Sequence, residues 1–267
     1  MKKLNVLAIA FAAVVFAACG GKKTAEAPAE ADSLKSFDQQ QIEASIKLHF
    51  DSIAAEIGKL KTPNFVQDKN GGLTLSKEEK QVKPTYLMDA AAADEATTLA
   101  EKYRIVSALN VDRRIAELYE MPTDDYDKAI SKLVADINDP SFKVIDNANT
   151  LFETSNALYD AMNENGRINF FWQMAAAALV EELYVANQNA DKFLSTFDDE
   201  AAANITFRIV LILDAVNRLS QYDPEIEPVA KAIAPLDVLN ATTVGEMKAQ
   251  LKEAEGKIAE ARKALIK

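Results

Sequence analysis

The sequence predicts an all-α protein, a multi-helix bundle of about seven or eight helices with one small β-hairpin near 65–75. Two observations point there. Apolar residues recur at steps of three and four from Ile42 nearly to Leu265, the period that gathers side chains on one face of an α-helix. With 49% hydrophobic and 27% charged residues but only 8 Gly and 8 Pro in 267, the chain has the composition of an ordinary folded protein. A chain of this length can bury one substantial core, and the periodicity predicts a single continuous helical domain over 39–267.

Each element follows from its local pattern. Ile42, Ile46, His49, Ile53, Ile57 and Leu60 define a first helix, which Pro63 closes. Between it and the next helix, Phe65-Val66-Gln67 and Leu73-Thr74-Leu75 flank Asp68-Lys69-Asn70-Gly71-Gly72 and predict the hairpin. Leu99, Tyr103, Val106, Ile115, Leu118 and Tyr119 mark a second helical region, with a bend expected near Asn110 and an end before Pro122. Thr123 and Asp124 are candidate caps for a third helix, which carries Ile130, Leu133, Val134 and Ile137 and breaks at Asp139-Pro140. A fourth is expected from about Asp146 to Asn163, with Leu151, Phe152, Leu158 and Met162 inward and Asn165-Gly166 as its stop.

Residues 167–187 are apolar nearly all round, which predicts a helix enclosed by its neighbours. Residues 199–221 supply a partner, and a short helix near Phe193 would fit the connection. Glu181, Glu182, Arg208 and Asp214 interrupt these two runs and exclude membrane insertion of either. Pro224, Pro228 and Pro235 cut the following stretch into short pieces. Val244, Met247, Leu251, Ala254, Ile258, Ala261 and Leu265 then predict one long final helix, with Thr243 and Glu246 spaced as a capping box.

The first residues have a different character. Met1-Lys2-Lys3 is followed by an uncharged apolar run, Val6 to Ala18, too short to span a bilayer core, which takes about 20 residues as helix. Val15-Phe16-Ala17-Ala18-Cys19 closes it with small residues before the only cysteine of the chain. This segment resembles the lipobox of bacterial lipoproteins, a resemblance confined to the export segment. It implies cleavage between Ala18 and Cys19, removal of residues 1–18, and a diacylglyceryl thioether on Cys19 with acylation, of the palmitate type, at the new amine. Two or three such chains hold a protein stably at a membrane, where one holds it marginally. Gly20-Gly21 stands where many inner-membrane lipoproteins carry aspartate, so in a cell with two membranes the resemblance implies the outer one, and the periplasmic face is favoured. Residues 19–38 then read as a tether, poor in apolar surface and reaching about 25 Å as a flexible coil.

Charge and motifs exclude several classes. A formal charge of −11, more negative still once Lys2 and Lys3 are lost, is wrong for nucleic acid and for electrostatic adhesion to anionic lipid. Asp68, Asn70, Leu75, Ser76 and Glu79 fall at EF-hand positions, but Leu73 occupies the turn position that needs glycine, and Ser76 with Glu79 fits a capping box without metal. His49 is the only histidine, so neither a di-iron bundle nor a histidine-based zinc site can be assembled, and it is expected at the edge of the core. There is no Gly-x-Ser-x-Gly and no glycine-rich phosphate loop. Neither a catalytic activity nor a metal or cofactor is expected.

Two constellations remain. If the helices over 167–187 and 199–221 pack antiparallel about residue 194, equal steps outward bring Glu182, or its neighbour Glu181, to Arg208 as a buried ion pair. Phe170, Phe171, Trp172 and Tyr184 are candidates for lining a small-molecule pocket between helices, with core packing as the alternative. The sequence therefore predicts a lipid-anchored envelope protein whose noncatalytic helical domain meets an envelope protein partner, or else one that binds a small molecule.

Overall fold

Helical periodicity is realised along nearly all of the chain that can be described. A computed structural model describes residues 37–60, 73–144 and 155–266. The packed body is the unit Glu43–Lys267, and residues 1–42 are counted as a separate unit.

Eleven α-helices occur among the described residues, more than the seven or eight the periodicity predicts. They are α1 (Phe37–Lys59), α2 (Lys77–Gln81), α3 (Leu99–Leu118), α4 (Asp124–Ile137), α5 (Ser155–Glu164), α6 (Ile168–Gln188), α7 (Ala190–Phe193), α8 (Asp199–Leu219), α9 (Glu227–Ile233), α10 (Val244–Glu253) and α11 (Glu255–Leu265). The surplus comes from α2, α7 and α9, too short to show a 3.6-residue period, and from a break in the C-terminal helix. That break sits at Ala254, whose ψ of 4° leaves the helical region while its side chain stays in the core, so the apolar stripe continues across it.

Other expectations are adjusted as well. α3 runs unbroken through Asn110. No strand occurs among the described residues: Leu73-Thr74-Leu75, the second arm of the expected hairpin, is irregular, and its first arm lies outside them. Leu151 and Phe152 also lie outside, and α5 is described from Ser155. Thr123 makes no capping bond to α4, and its hydroxyl turns to Asp127 at 3.2 Å instead.

Caps set several boundaries. Ser76, Thr98 and Thr243 each accept a bond from the amide three residues on, and Glu79, Glu101 and Glu246 each reach back to the cap amide. α4 ends at Asn138, whose φ of 51° satisfies a left-handed terminus, and Gly166 takes φ 66° between α5 and α6.

α6 is the central element. It packs against α3, α5, α8 and α11 and is buried on almost every side. Trp172 is fully enclosed, with its ring 5.1 Å from Phe171 and 5.9 Å from Phe50. Tyr103 stacks on Phe170 at 4.5 Å and donates a 2.5 Å bond to Asp139, the acid after the α4 terminus. Burying each such ring contributes about 1.5–3 kcal/mol, which accounts for the placement of α6 at the centre.

Candidate functional site

The chemistry of the interior is concentrated on one turn of α6. Consecutive helical residues project about 100° apart, so the adjacent Glu181 and Glu182 face different neighbours. Both are buried, at 0% and 6% exposure, where an unpartnered carboxylate would be costly.

Glu182 faces α8 and forms a hydrogen-bonded ion pair with Arg208, itself 3% exposed. The charge of Arg114 on α3 also favours the ionised carboxylate, but burial outweighs both arginines and holds Glu182 above the usual carboxylate range. The short helix α7 in the connection does not spoil the register that equal steps outward from the connection near residue 194 predict.

Glu181 faces α11. Arg262 of α11 donates to both its oxygens, Nε to Oε2 at 2.7 Å and Nη2 to Oε1 at 2.8 Å. The guanidinium lies 4.2 Å from the centre of the Tyr184 ring, a cation–π contact. A second carboxyl, Asp112 of α3, stands beside this pair with 0% exposure, 4.0 Å from Arg262 Nη2. Burial, together with the neighbouring charge of Glu181, pushes Asp112 well above the usual carboxylate range. Two acids thus share one arginine.

The segment 82–89 covers this cluster. The Met88 amide donates to Asp112 Oδ2 at 2.7 Å, the Tyr126 hydroxyl donates to the Met88 carbonyl at 2.8 Å, and Arg262 Nη2 approaches the Tyr86 carbonyl at 3.5 Å. Lys83 adds a 2.5 Å bond to the Tyr119 carbonyl. Tyr126 is raised to about 12, by burial first and then by the charges of Asp112, Asp89 and Glu181. Sequence reasoning missed Asp112 and Arg262, which come from α3 and α11 and share no local pattern with Glu181.

Openings at the surface, among the described residues, include two beside α1. The larger, about 680 Å³, separates α1 from α5 and is lined by Lys47, Asp51, Asn156, Tyr159, Asp160 and Glu164 among others. Asp51 accepts from Lys47 at 2.7 Å and from the Tyr159 hydroxyl at 2.8 Å. Gly58 leaves room for the Asn156 side chain: a Cβ on it would stand 2.3 Å from Asn156 Nδ2. The smaller opening, about 170 Å³, is lined by Ser45, His49 and Arg218 among others. His49 Nε2 lies 2.9 Å from Asp214 Oδ2, and Arg218 Nε donates to both Asp214 oxygens at 3.1 and 3.2 Å. The lone histidine is therefore at the core edge and pairs α1 with α8.

The four residues proposed to line a pocket do not meet in one. Phe170, Phe171 and Trp172 are buried against other rings, and Tyr184 lies apart from them over Arg262. The reason is that consecutive positions on an enclosed helix point to different neighbours. Ala18 and Cys19 lie outside the described residues, as do Asp68 and Asn70 of the EF-hand-like run. Glu79, its twelfth position, caps α2 and pairs with Lys192 at 2.9 Å, contacts that hold its carboxyl at about 2.

Among the described residues there is no group of three or more His, Cys, Asp or Glu side chains placed to hold a metal, and no helix long and apolar enough to cross a membrane. No protein-family model, curated protein or solved structure matches this chain.

Proposed function

We propose that the protein is a lipid-anchored component of the bacterial cell envelope, on the periplasmic face of the outer membrane where two membranes exist, and that its helical body engages another envelope protein without catalysing a reaction. The observation that carries this is Val15–Cys19, small residues in front of the one cysteine of the chain, at the end of an apolar run and ahead of a polar spacer. Lipid on that sulfur supplies attachment that an acidic surface cannot. The buried acids support a scaffolding role for the interior, since Glu181 and Glu182 are each bonded to an arginine within the fold. In the native host, Cys19→Ala abolishes incorporation of a labelled fatty acid and moves the protein out of the membrane fraction. Maturation and membrane fractionation as before would overturn the assignment. Crosslinking in intact envelopes retrieves a partner, and recovery of the bait alone would count against engagement.

A second reading is favoured by one observation, the opening between α1 and α5. Its 680 Å³ falls in the range of small-molecule sites, roughly 300–1,000 Å³. Asp51, Asp160 and Glu164 outnumber Lys47 on its walls, so its ligand would be a polar organic cation.

A further inference from the structure

We propose that residues 82–89 form a proton-controlled clasp: while Asp112 holds a proton against Glu181 the segment is closed, and loss of that proton releases it. The inference is independent of how the protein is anchored and of what it binds.

Asp112 and Glu181 are both fully buried, and Arg262 is the cation that meets them. Arg262 spends two donors on Glu181, at 2.7 and 2.8 Å, and reaches Asp112 only at 4.0 Å. With both acids ionised the cluster would enclose a net negative charge, whereas one proton between them makes it neutral. The remaining groups around Asp112 are Tyr86 of the covering segment and Tyr126 of α4, neither of which brings a positive charge. The Met88 amide favours the ionised form of Asp112, but burial and Glu181 act more strongly in the other direction.

Geometry then decides what gives way. Three walls of the cluster are α3, α6 and α11, joined through the apolar core. The fourth is irregular backbone, and three of the bonds that hold it converge on the cluster and its neighbour Tyr126: the Met88 amide on Asp112, Arg262 on the Tyr86 carbonyl, and Tyr126 on the Met88 carbonyl, while Lys83 anchors the start of the segment to the Tyr119 carbonyl. Water reaches the ionised pair most readily by displacing this wall, since Met88 and Tyr86 are only partly buried while the helical walls are sealed by side chains. Opening exposes the guanidinium of Arg262 and the ring of Tyr184 beneath it.

Asparagine at 112 reproduces the protonated state, because its carbonyl can accept from Met88 while its amide donates to Glu181. The test is hydrogen exchange of the amides in 82–89, measured on the purified full-length protein and on Asp112→Asn from about pH 6 to about pH 9. The ratio of the two cancels the intrinsic dependence of exchange on pH. Because the open form gives up a proton that the closed form keeps, the ratio rises by up to about tenfold per pH unit until the closed form also ionises. Circular dichroism establishes that the variant is folded. Should it not be, Glu181→Gln serves in its place: Arg262 then turns to Asp112, and the rise moves to lower pH. Carbon NMR of the Asp112 carboxyl gives a direct readout, with the protonated shift expected at neutral pH. A ratio that does not change with pH, or an ionised Asp112 at neutral pH, overturns the proposal.

Discussion

Arg208→Met is the most informative single change in the core. Arg208 is 3% exposed and Glu182 6%, so the pair belongs with buried ion pairs and not with surface ones, whose median contribution is about 0–1 kcal/mol. Removing one partner of a buried pair typically costs about 3–5 kcal/mol, because the other charge is left behind in a poorly solvated site. Replacing both, as Glu182→Leu with Arg208→Met, leaves no orphan charge, and comparable exchanges range from neutral to stabilising by about 1–4 kcal/mol. The expected signature is thus a single variant far less stable than the double. Equilibrium urea unfolding, followed by far-ultraviolet circular dichroism, measures both. The sign of the pH effect is also fixed. Burial holds the Glu182 carboxyl above its usual range against the pull of Arg208, so the group favours folding when protonated and loses that contribution as pH rises. Without Arg208 its pKa rises further, so the cost of Arg208→Met is small in acid and grows toward neutral pH. A cost below about 1 kcal/mol at neutral pH, or a double variant as unstable as the two single costs added together, would refute the reasoning.

The helix caps offer a paired comparison. Thr98→Ala, which removes a capping box from α3, is expected to cost about 1 kcal/mol in urea unfolding, whereas Thr123→Ala, at a position with no capping bond, should stay within about 0.5 kcal/mol of the wild type. The Thr98 effect should change little with pH, because Glu101 is held down at about 2 mainly by the main-chain amide of residue 98 and by Thr97, contacts that the substitution leaves in place. At the opening between α1 and α5, putrescine is expected to raise the melting temperature of the wild type but not of Asp160→Asn/Glu164→Gln, and glucose to raise neither. A shift by glucose alone would replace the expected cation with a neutral polar ligand, and no shift with either would remove the small-molecule reading.

The parts legible in the sequence are those with a long period or a short covalent span. The stripe from Ile53 to Leu60, the apolar run of α6 and the stripe from Val244 to Leu265 all announce helices because many turns repeat the same spacing. Glu182 and Arg208 were legible as a pair because one short connection fixes the register of two antiparallel helices. Asp112, Glu181 and Arg262 were not, since nothing local relates α3 to α11 or says which face of an enclosed helix Glu181 occupies. The break at Ala254 escaped for a different reason: the apolar spacing continues through it, so only the backbone records the change. The aromatic residues 170–172 suggested a pocket because they are adjacent in sequence, but on a buried helix their faces are covered by other rings: Phe170 stacks on Tyr103, and Phe171 and Trp172 pack on each other and on Tyr159.

The two glutamates of α6 also bear on why this helix has one position. A helix that is apolar nearly all round, with alanine at 175 through 178, offers its neighbours small and similar surfaces in many rotations and registers, and apolar burial discriminates weakly among them. Charge discriminates strongly. Turning α6 by one residue, or sliding it by one turn, would withdraw Glu181 from Arg262 and Glu182 from Arg208 together, breaking two ion pairs whose carboxylates are both buried, at several kcal/mol each. The pairs also join α6 to α11 on one side and to α8 on the other, so one turn of helix ties down two neighbours at once. Asp112 disturbs that balance, since Arg262 spends its hydrogen bonds on Glu181 and reaches Asp112 only at 4.0 Å. Burial and Glu181 push the carboxyl of this surplus acid well above the usual carboxylate range, and it accepts from the Met88 amide of the irregular wall. The features that fix the core thus make that wall the place where pH can act.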